Sequence, residues 1–339
     1  MDRVSVDLAL QGGGSHGAFT WGVLDRLLEE EWIDIEGVCG TSAGAMNAVV
    51  LADGYAQNGR AGAKAALARY WRQVSDAAHL SPFQRSPLDR LLGRWSLDQS
   101  PGYLLMDFMS RMLSPYQYNP TGHNALQPIL DRQVNFERLR TSPIKVFITA
   151  TNVRTGRPRV FGNADITPDA LMASACLPTL FQAVEIDGDP YWDGGYSGNP
   201  TLAPLAEALT ADDIILVPVN PLERAGTPRT PTDILNRLNE VSFNAVLVKE
   251  LYMIERLQRD GASAGADLAA REWARLRLHV VRNPLMNGLD FSSKLNAEWS
   301  FVSMLHTEGR KAAQAFLDAH GAALGQRQSL DFDALLAQL

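Results

Sequence analysis

Hydrophobic and polar positions follow one another along the chain in an order that predicts strands leading into helices. The apolar, β-branched run at residues 4–10 (VSVDLAL) predicts a strand. Three glycines follow it, and apolar residues then recur at helical spacing at Val23, Leu24, Leu27 and Leu28. The pattern therefore indicates a strand, a tight loop and a helix.

A second unit repeats this order. A short apolar strand ends near Cys39, a turn spans Gly40 to Gly44, and a helix of small residues is expected to close at Gly54. Consecutive units of this kind predict an α/β fold with a largely parallel sheet covered by helices. Further strands are predicted at 144–153, 158–163, 213–220 and 276–283, and further helices at 61–76, 168–176, 231–260 and 293–319.

Residues 81–122 differ from the rest because they combine prolines with many aromatic residues, which is typical of an insertion rather than a linker. An amphipathic helix is predicted inside this insertion. Its apolar stripe either completes the core or forms a lid or acyl-chain groove. We find no internal repeat and expect one domain over 1–339, with a motif-bearing core at about 5–220 and a helical C-terminal part at 221–339. The stripe consists of Leu104, Leu105, Phe108, Met109, Met112 and Leu113.

Composition narrows the range of partners. With 46% hydrophobic and 20% charged residues, the chain has enough material for a buried core. A net charge of -7 without a basic run argues against nucleic acid, and it restricts membrane contact to apolar, transient contact. No export signal and no membrane span is evident. Cys39 and Cys176 lie in apolar surroundings, so we expect buried free thiols, a reducing compartment and a cytoplasmic protein, peripheral at membranes.

The first glycine loop allows two kinds of site. Gly12, Gly14 and Gly17 satisfy the G-x-G-x-x-G pattern of dinucleotide-binding loops. Successive amides at a helix N-terminus stabilise either a phosphate or a transient oxyanion. A nucleotide site would lack the P-loop lysine, and its ribose-binding acid would have to be Asp34 or Glu36, which we expect before the second strand rather than at its end.

The second loop, GTSAG, places Ser42 in the pattern of a nucleophile elbow, where neighbouring positions must be nearly free of side chains. A helix-capping serine is the alternative, and the two roles are compatible. A serine nucleophile needs a base. Asp193, directly before Gly194 and Gly195, is the strongest candidate, because no histidine has a context that marks it as the base. The histidines are His16, His79, His123, His279, His306 and His320.

Together these motifs resemble the patatin-like phospholipases. The motifs GGGSHG (12–17), GTSAG (40–44) and DGG (193–195) occur in that family's order, with ASACLPTLF before the aspartate, and the similar stretches cover roughly residues 5–220. The resemblance implies a three-layer α/β/α fold and hydrolysis of acyl esters by a Ser-Asp dyad with no catalytic histidine. It implies neither a metal nor an organic cofactor.

Carried over to this chain, the resemblance makes Ser42 the nucleophile and Asp193 the base. The oxyanion would be bound by the amides of Gly12, Gly13 and Gly14, with the amide of Ala43 as a further donor by elbow geometry. Because an ordinary aspartate has a low pKa, we expect burial to raise the pKa of this base. The remaining motif-supporting residues are His16, Gly17, Gly40, Gly44, Gly194 and Gly195.

One position departs from the family pattern. His16 stands where the family commonly has a basic residue, usually arginine, which leaves the preferred head group open. His16 as the catalytic base is an alternative to Asp193. The substrates implied are phospholipids, lysophospholipids or other fatty-acyl esters. The alternatives are an esterase on non-phospholipid esters or polyhydroxyalkanoate, and a non-catalytic lipid- or nucleotide-binding protein. The long apolar faces of the C-terminal helices leave a homodimer open.

Overall fold

The structure, a computed structural model, describes residues 3–79, 81–224, 226–259 and 268–333. Its central sheet has the strand order β5-β6-β3-β2-β1-β7-β8, with β4 paired to β3. The pairs β1–β2, β1–β7, β2–β3 and β7–β8 are parallel, whereas β3–β4, β3–β6 and β5–β6 are antiparallel. The strands are β1 Val4–Leu10, β2 Ile33–Gly40, β3 Lys145–Asn152, β4 Pro158–Gly162, β5 Val184–Ile186, β6 Asp189–Asp193, β7 Asp213–Val217 and β8 Arg277–Val280.

Helices cover both faces of this sheet. They are α1 Gly17–Leu27, α2 Ala43–Ala78, α3 Pro87–Leu91, α4 Pro101–Met112, α5 Pro115–Tyr118, α6 Gln127–Gln133, α7 Phe136–Arg140, α8 Pro168–Ser174, α9 Ala203–Ala208, α10 Pro231–Arg259, α11 Leu268–Ala274 and α12 Trp299–His320. Short 3-10 helices are formed by Gly14–His16, Gly194–Tyr196, Pro284–Gly288, Phe291–Leu295 and Gly321–Ala323.

Alternate side chains of the central strands feed two separate hydrophobic clusters. Leu8 and Leu10 of β1 pack with α1, α2 and α12 on one face. Ala9, which points to the other face, packs with α9, α10 and α11. Every one of these strand positions is fully buried, as expected for a parallel sheet with both faces covered. The predicted three-layer α/β/α architecture with a mostly parallel sheet is confirmed.

The elements differ from the prediction in several places, and the helices α6, α7, α9 and α11 were not predicted. The helix after the second glycine turn does not close at Gly54 but continues to a break at Asn58 and Gly59, where the backbone is non-helical. The hairpin of β5 and β6 was not predicted. The predicted helix 293–319 begins only at Trp299, after a 3-10 turn. The last residue of the predicted helix 231–260 lies outside the described residues.

The segment 81–122 is fixed to the rest of the fold at both ends but not in its middle. On one side Leu97 is buried, its amide bonds to Ser292 Oγ at 3.0 Å, and Trp95 packs on Phe301 with ring centroids 5.1 Å apart. On the other side, the Tyr118 hydroxyl donates to the carbonyl oxygen of Thr179 at 2.5 Å. Helix α4 lies between these anchors and buries no residue. The interpretation that its apolar stripe completes the core is therefore wrong.

None of the helices within the described ranges combines the length and apolar character that crossing a bilayer requires.

Candidate active site

The two glycine loops and Asp193 lie together at the end of the sheet where strands β1 and β2 finish. Strands β1 and β2 are parallel neighbours, so the loop after Leu10 and the turn after Gly40 lie side by side. Strand β6 runs antiparallel to β3, and its last residue, Asp193, pairs with Ala150. Since Ile148 of β3 pairs with Gly40, Asp193 lies just beyond the end of β2. Strands of opposite direction thus deliver the serine and the carboxylate to the same place.

Ser42 lies on a strained turn between β2 and α2. Its φ of 54° and ψ of -122° are unusual for a residue with a side chain, and such strain clusters at functional sites. The turn is closed by the amide of Gly44, which donates to the carbonyl of Thr41 at 2.8 Å. A Cβ at Gly40 would lie 2.6 Å from the Gly44 backbone, and one at Gly44 would lie 2.1 Å from the carbonyl oxygen of Leu10. The spacing of glycines in GTSAG is therefore a steric requirement.

The Ser42 side chain does not cap the helix that it precedes. Ser42 occupies the N-cap position of α2, yet its hydroxyl makes no capping hydrogen bond. Its amide instead donates to the hydroxyl of Ser174 at 3.0 Å. The capping role proposed as an alternative is thus not adopted, and the hydroxyl is left for another partner.

The group beside it is Asp193. Its side chain is buried, its carboxylate accepts a hydrogen bond from the amide of Gly195 at 2.7 Å, and the neighbouring Ser42 side chain acts to lower its pKa. Burial raises the pKa of Asp193 to about 7, against the lowering effects of the Gly195 amide, the Ser42 hydroxyl and the charge of Lys294. The raised pKa expected from burial is therefore present, and the carboxylate is poised to exchange a proton near neutral pH.

The first glycine loop presents fewer free amides than expected. The amide of Gly12 donates to Asn199 Oδ1 at 2.7 Å, so it is not available to an oxyanion, in contrast to the prediction for this residue. Its carbonyl accepts from Asn220 Nδ2 at 2.7 Å. In the part of the chain that the structure describes, the amides of Gly13, Gly14 and Ala43 have no hydrogen-bond acceptor. Gly14 adopts a left-handed conformation, with φ of 58°.

The buried side chain of Gln11 holds the first glycine loop in place. Gln11 Oε1 accepts from the amides of Val219 and Asn220 at 2.9 and 2.8 Å. Its Nε2 donates to Asn244 Oδ1 at 2.8 Å and to the carbonyl of Asn199 at 3.2 Å. The sequence motifs did not mark Gln11, Asn199, Asn220 or Ser174, although Asn199 lies four residues after the DGG motif and Ser174 lies inside the stretch ASACLPTLF.

The two buried histidines of the described residues are engaged elsewhere. His16 is buried, and its Nε2 lies 2.8 Å from Ser293 Oγ. Burial, and then the charge of Lys294, hold the pKa of His16 well below its ordinary value, so the ring is neutral. His279 lies at the opposite edge of the sheet, between Asp213 and Ser329. No imidazole within the described ranges bonds to the Ser42 hydroxyl, and the alternative of a His16 base finds no support.

A lysine that the sequence analysis overlooked lies beside the glycine loop. Lys294 belongs to the 3-10 helix Phe291–Leu295 and is largely buried. Its ammonium donates to Asn220 Oδ1 at 2.5 Å. Burial lowers the pKa of Lys294 to about 8, partly opposed by Glu240 and Asp193. A cation from the C-terminal part of the chain is thus built into the surroundings of Asp193.

The remaining site predictions have simpler outcomes. Asp34 and Glu36 lie within β2, not before it. Glu36 accepts hydrogen bonds from Thr210 and Ala211 at the amino end of the strands, away from the glycine loop, which removes the acid that a nucleotide site requires. Cys39 and Cys176 are buried free thiols, as predicted.

The chain is similar to several known proteins. Among solved structures, VipD from Legionella pneumophila is similar at 15% identity and a TM-score of 0.42, over 94% of this chain and 67% of VipD. ExoU, in its heterodimeric complex with SpcU from the type III secretion system of Pseudomonas aeruginosa, is similar at 18% identity and a TM-score of 0.31, over 96% of this chain but only 62% of that chain. A comparison with curated protein sequences gave no significant match. A family model described as patatin-like phospholipase matches residues 8–206, more than half of the chain, and the protein therefore belongs to the patatin-like phospholipase family of lipid acyl hydrolases.

Proposed function

We propose that the protein is a serine hydrolase that cleaves fatty-acyl esters of phospholipids or lysophospholipids through a dyad of Ser42 and Asp193. The observation that carries this proposal is the position of Ser42, held on its strained turn, next to the buried carboxylate of Asp193, whose pKa the Ser42 side chain lowers. A nucleophile next to a base whose pKa is about 7 meets the requirement for activation at neutral pH.

The reaction proceeds in two steps. Asp193 takes the hydroxyl proton as Ser42 Oγ bonds to the ester carbonyl carbon, and the carbonyl oxygen becomes an oxyanion. The unpaired amides of Gly13, Gly14 and Ala43 are the donors for that charge. The carbon–oxygen bond to the alcohol then breaks, and Asp193 returns its proton to the departing alkoxide. Water, deprotonated by Asp193, hydrolyses the acyl-enzyme and regenerates Ser42.

The exposed apolar surface of α4 supports a lipid substrate. Leu105, Phe108 and Met112 are 63%, 59% and 67% exposed, although such side chains are ordinarily covered in a soluble protein. The anchors of this segment lie beside the Phe291–Leu295 turn on one side and beside Thr179 on the other. Both flank the site, because the first turn carries Lys294 and the second segment follows Cys176, whose carbonyl accepts from the Asp193 amide. We therefore propose α4 as the lid or acyl-chain surface that meets aggregated lipid.

Replacing Phe108 by glutamate is expected to lower hydrolysis of phospholipid vesicles about tenfold or more, because one buried aromatic side chain contributes roughly 1.5–3 kcal/mol to apolar contact. Hydrolysis of a soluble p-nitrophenyl ester should remain unchanged, since α4 carries none of the reacting groups. Met253→Glu, at an exposed apolar position on α10, is the matched control. Equal losses on vesicles and on the soluble ester would contradict a lipid-contacting role for α4.

The function itself is tested by labelling and by substrate profiling. A fluorophosphonate should label the wild-type protein and Ser5→Ala, a variant of an exposed serine, but not Ser42→Ala. Phospholipids, lysophospholipids and p-nitrophenyl esters of graded chain length should then be turned over, with preference for long chains. Turnover confined to short-chain esters or polyhydroxyalkanoate would favour the esterase alternative. Absence of both labelling and turnover would favour a non-catalytic lipid-binding protein.

The remaining predictions concern location and assembly. A cytoplasmic protein with peripheral, transient membrane contact is consistent with the exposed apolar helix α4 and the acidic net charge of -7. The homodimer suggested by the apolar faces of the C-terminal helices stays a prediction. Sedimentation equilibrium would decide it.

A further inference from the structure

The Lys294 ammonium is a buried cation that the hydrolytic steps above do not use. It donates a hydrogen bond to Asn220 and lies 4.8 Å from the centre of the Phe291 ring, and within the described ranges it forms no ion pair with a carboxylate. An unpaired buried charge is expensive, and it is found chiefly where a function requires it.

Contacts with the glycine loop connect this lysine to the reacting groups. Asn220, which accepts from Lys294 Nζ, donates through Nδ2 to the carbonyl of Gly12 at 2.7 Å. The main chain of Lys294 also touches the loop, because a Cβ at Gly14 would lie 2.4 Å from the Lys294 carbonyl oxygen. The ammonium is thereby fixed at one side of the loop whose free amides face the proposed oxyanion.

The other charged groups near Lys294 leave its positive charge largely uncompensated. Glu240 is already paired with Arg224 at 2.7 Å and with Arg237 at 3.1 Å. His16, on the glycine loop, is neutral because burial lowers its pKa. Asp193 is the other acidic group whose charge interacts with Lys294, and the Lys294 charge also lowers the pKa of His16. The field of this cation therefore reaches both the base and the glycine loop beside it.

We propose that Lys294 is an electrostatic positioning residue for ester hydrolysis, which favours the carboxylate form of Asp193 and stabilises the negative charge that forms when Ser42 attacks the substrate. This inference rests on the proposed function, because it assigns a role within the same site. Lys294 supplies the fixed cation that the neutral His16 does not, and it does so from a part of the chain outside the family match at residues 8–206.

The test is the pH dependence of kcat and KM on a soluble p-nitrophenyl ester. In the wild type, kcat/KM should rise through about pH 7 as Asp193 ionises and fall above about pH 8 as Lys294 loses its proton. Lys294→Arg should keep the rise and lose the alkaline fall, because arginine stays protonated. The exposed, surface-paired Lys311 offers a control, and Lys311→Met should reproduce the wild-type profile.

Lys294→Met removes the charge while keeping an unbranched side chain. We expect kcat to fall about tenfold or more with KM unchanged, since only the transition state and the base gain from the cation. The rising limb should also move to higher pH, because the cation lowers the pKa of Asp193. A structural role would change stability but would not shift either limb.

Each outcome bears on the proposal. A wild-type profile without an alkaline fall, or a fall that Lys294→Arg retains, overturns it. A folded Lys294→Met variant with unchanged kcat and an unchanged rising limb overturns it as well. If Lys294→Met does not fold, the alkaline limbs of the wild type and Lys294→Arg decide the matter. None of these results touches the dyad, whose failure would show instead as unchanged activity in Ser42→Ala.

Discussion

Asp193→Asn should lower kcat/KM for ester hydrolysis by about 10³- to 10⁴-fold, the loss typical of removing a general base or its supporting carboxylate. Asparagine keeps the shape of the side chain and an oxygen that can accept the Gly195 amide, now bonded at 2.7 Å. It cannot take the proton from the Ser42 hydroxyl. The measurement is kcat/KM on a long-chain ester at pH 7.5, with Asp189→Asn as the control, because Asp189 lies on the same strand and its side chain pairs with the exposed Arg154.

Stability measurements separate this loss of activity from unfolding. Burial raises the pKa of Asp193 from 3.8 to about 7, so the protonated form is the one that the fold prefers. The stability contributed by that preference is fully present below pH 3.8 and is lost as pH rises through about 7. Asparagine never ionises. Asp193→Asn should therefore be at least as stable as the wild type at pH 8. Substantial hydrolysis by this folded variant would contradict the dyad and point to a different base.

The parts of the site that the sequence predicted are those set by local chain geometry. At the elbow, Gly40 meets the backbone of Gly44 within the same turn, and Gly44 meets the backbone of Leu10 on the neighbouring strand. Steric requirements of this kind place glycines at a fixed spacing, and that spacing can be recognised in the sequence. The parallel direction of the central strands followed from the same repeated unit.

The parts that the sequence did not predict depend on contacts between distant segments. Asn199, Asn220 and Lys294 bond to the glycine loop or to one another across 74 to 208 positions of the chain, and nothing near them in the sequence marks those partners. The same reason explains Gly12. The motif implies that the Gly12 amide binds an oxyanion, yet this amide donates its hydrogen bond to Asn199, which is remote in the sequence.

Whether the amphipathic helix α4 is buried or exposed could likewise not be predicted from the sequence. The periodicity of Leu105, Phe108 and Met112 specifies one apolar face, but it is the same whether a core or a lipid covers that face. The break in α2 shows a similar limit. Gly54 does not end the helix. Because it has no side chain, the second half of α2 can pack closely against it at Gly62. The break occurs at Gly59, whose φ is positive, at 54°.

Gly44→Ala should lower both the stability and the activity of the protein. The added methyl carbon would lie 2.1 Å from the carbonyl oxygen of Leu10, an atom of the β1 main chain that cannot rotate away. Either β1 or the start of α2 must move, and overpacking of this kind costs roughly 3 kcal/mol in the free energy of unfolding. Urea denaturation measures this loss directly.

The activity of Gly44→Ala should fall by about 100-fold, because Ser42 and the free amide of Ala43 lie immediately before the displaced residue and a shift of about 1 Å disrupts attack geometry. Gly288→Ala is the matched control, since no heavy atom lies within 4 Å of the position its Cβ would take and its backbone needs no positive φ. It should change stability by less than about 1 kcal/mol and leave kcat/KM unaltered. A Gly44→Ala variant as stable and active as Gly288→Ala would show that the elbow is not closely packed against β1. The strain at Ser42 would then lack the support that holds its hydroxyl toward Asp193.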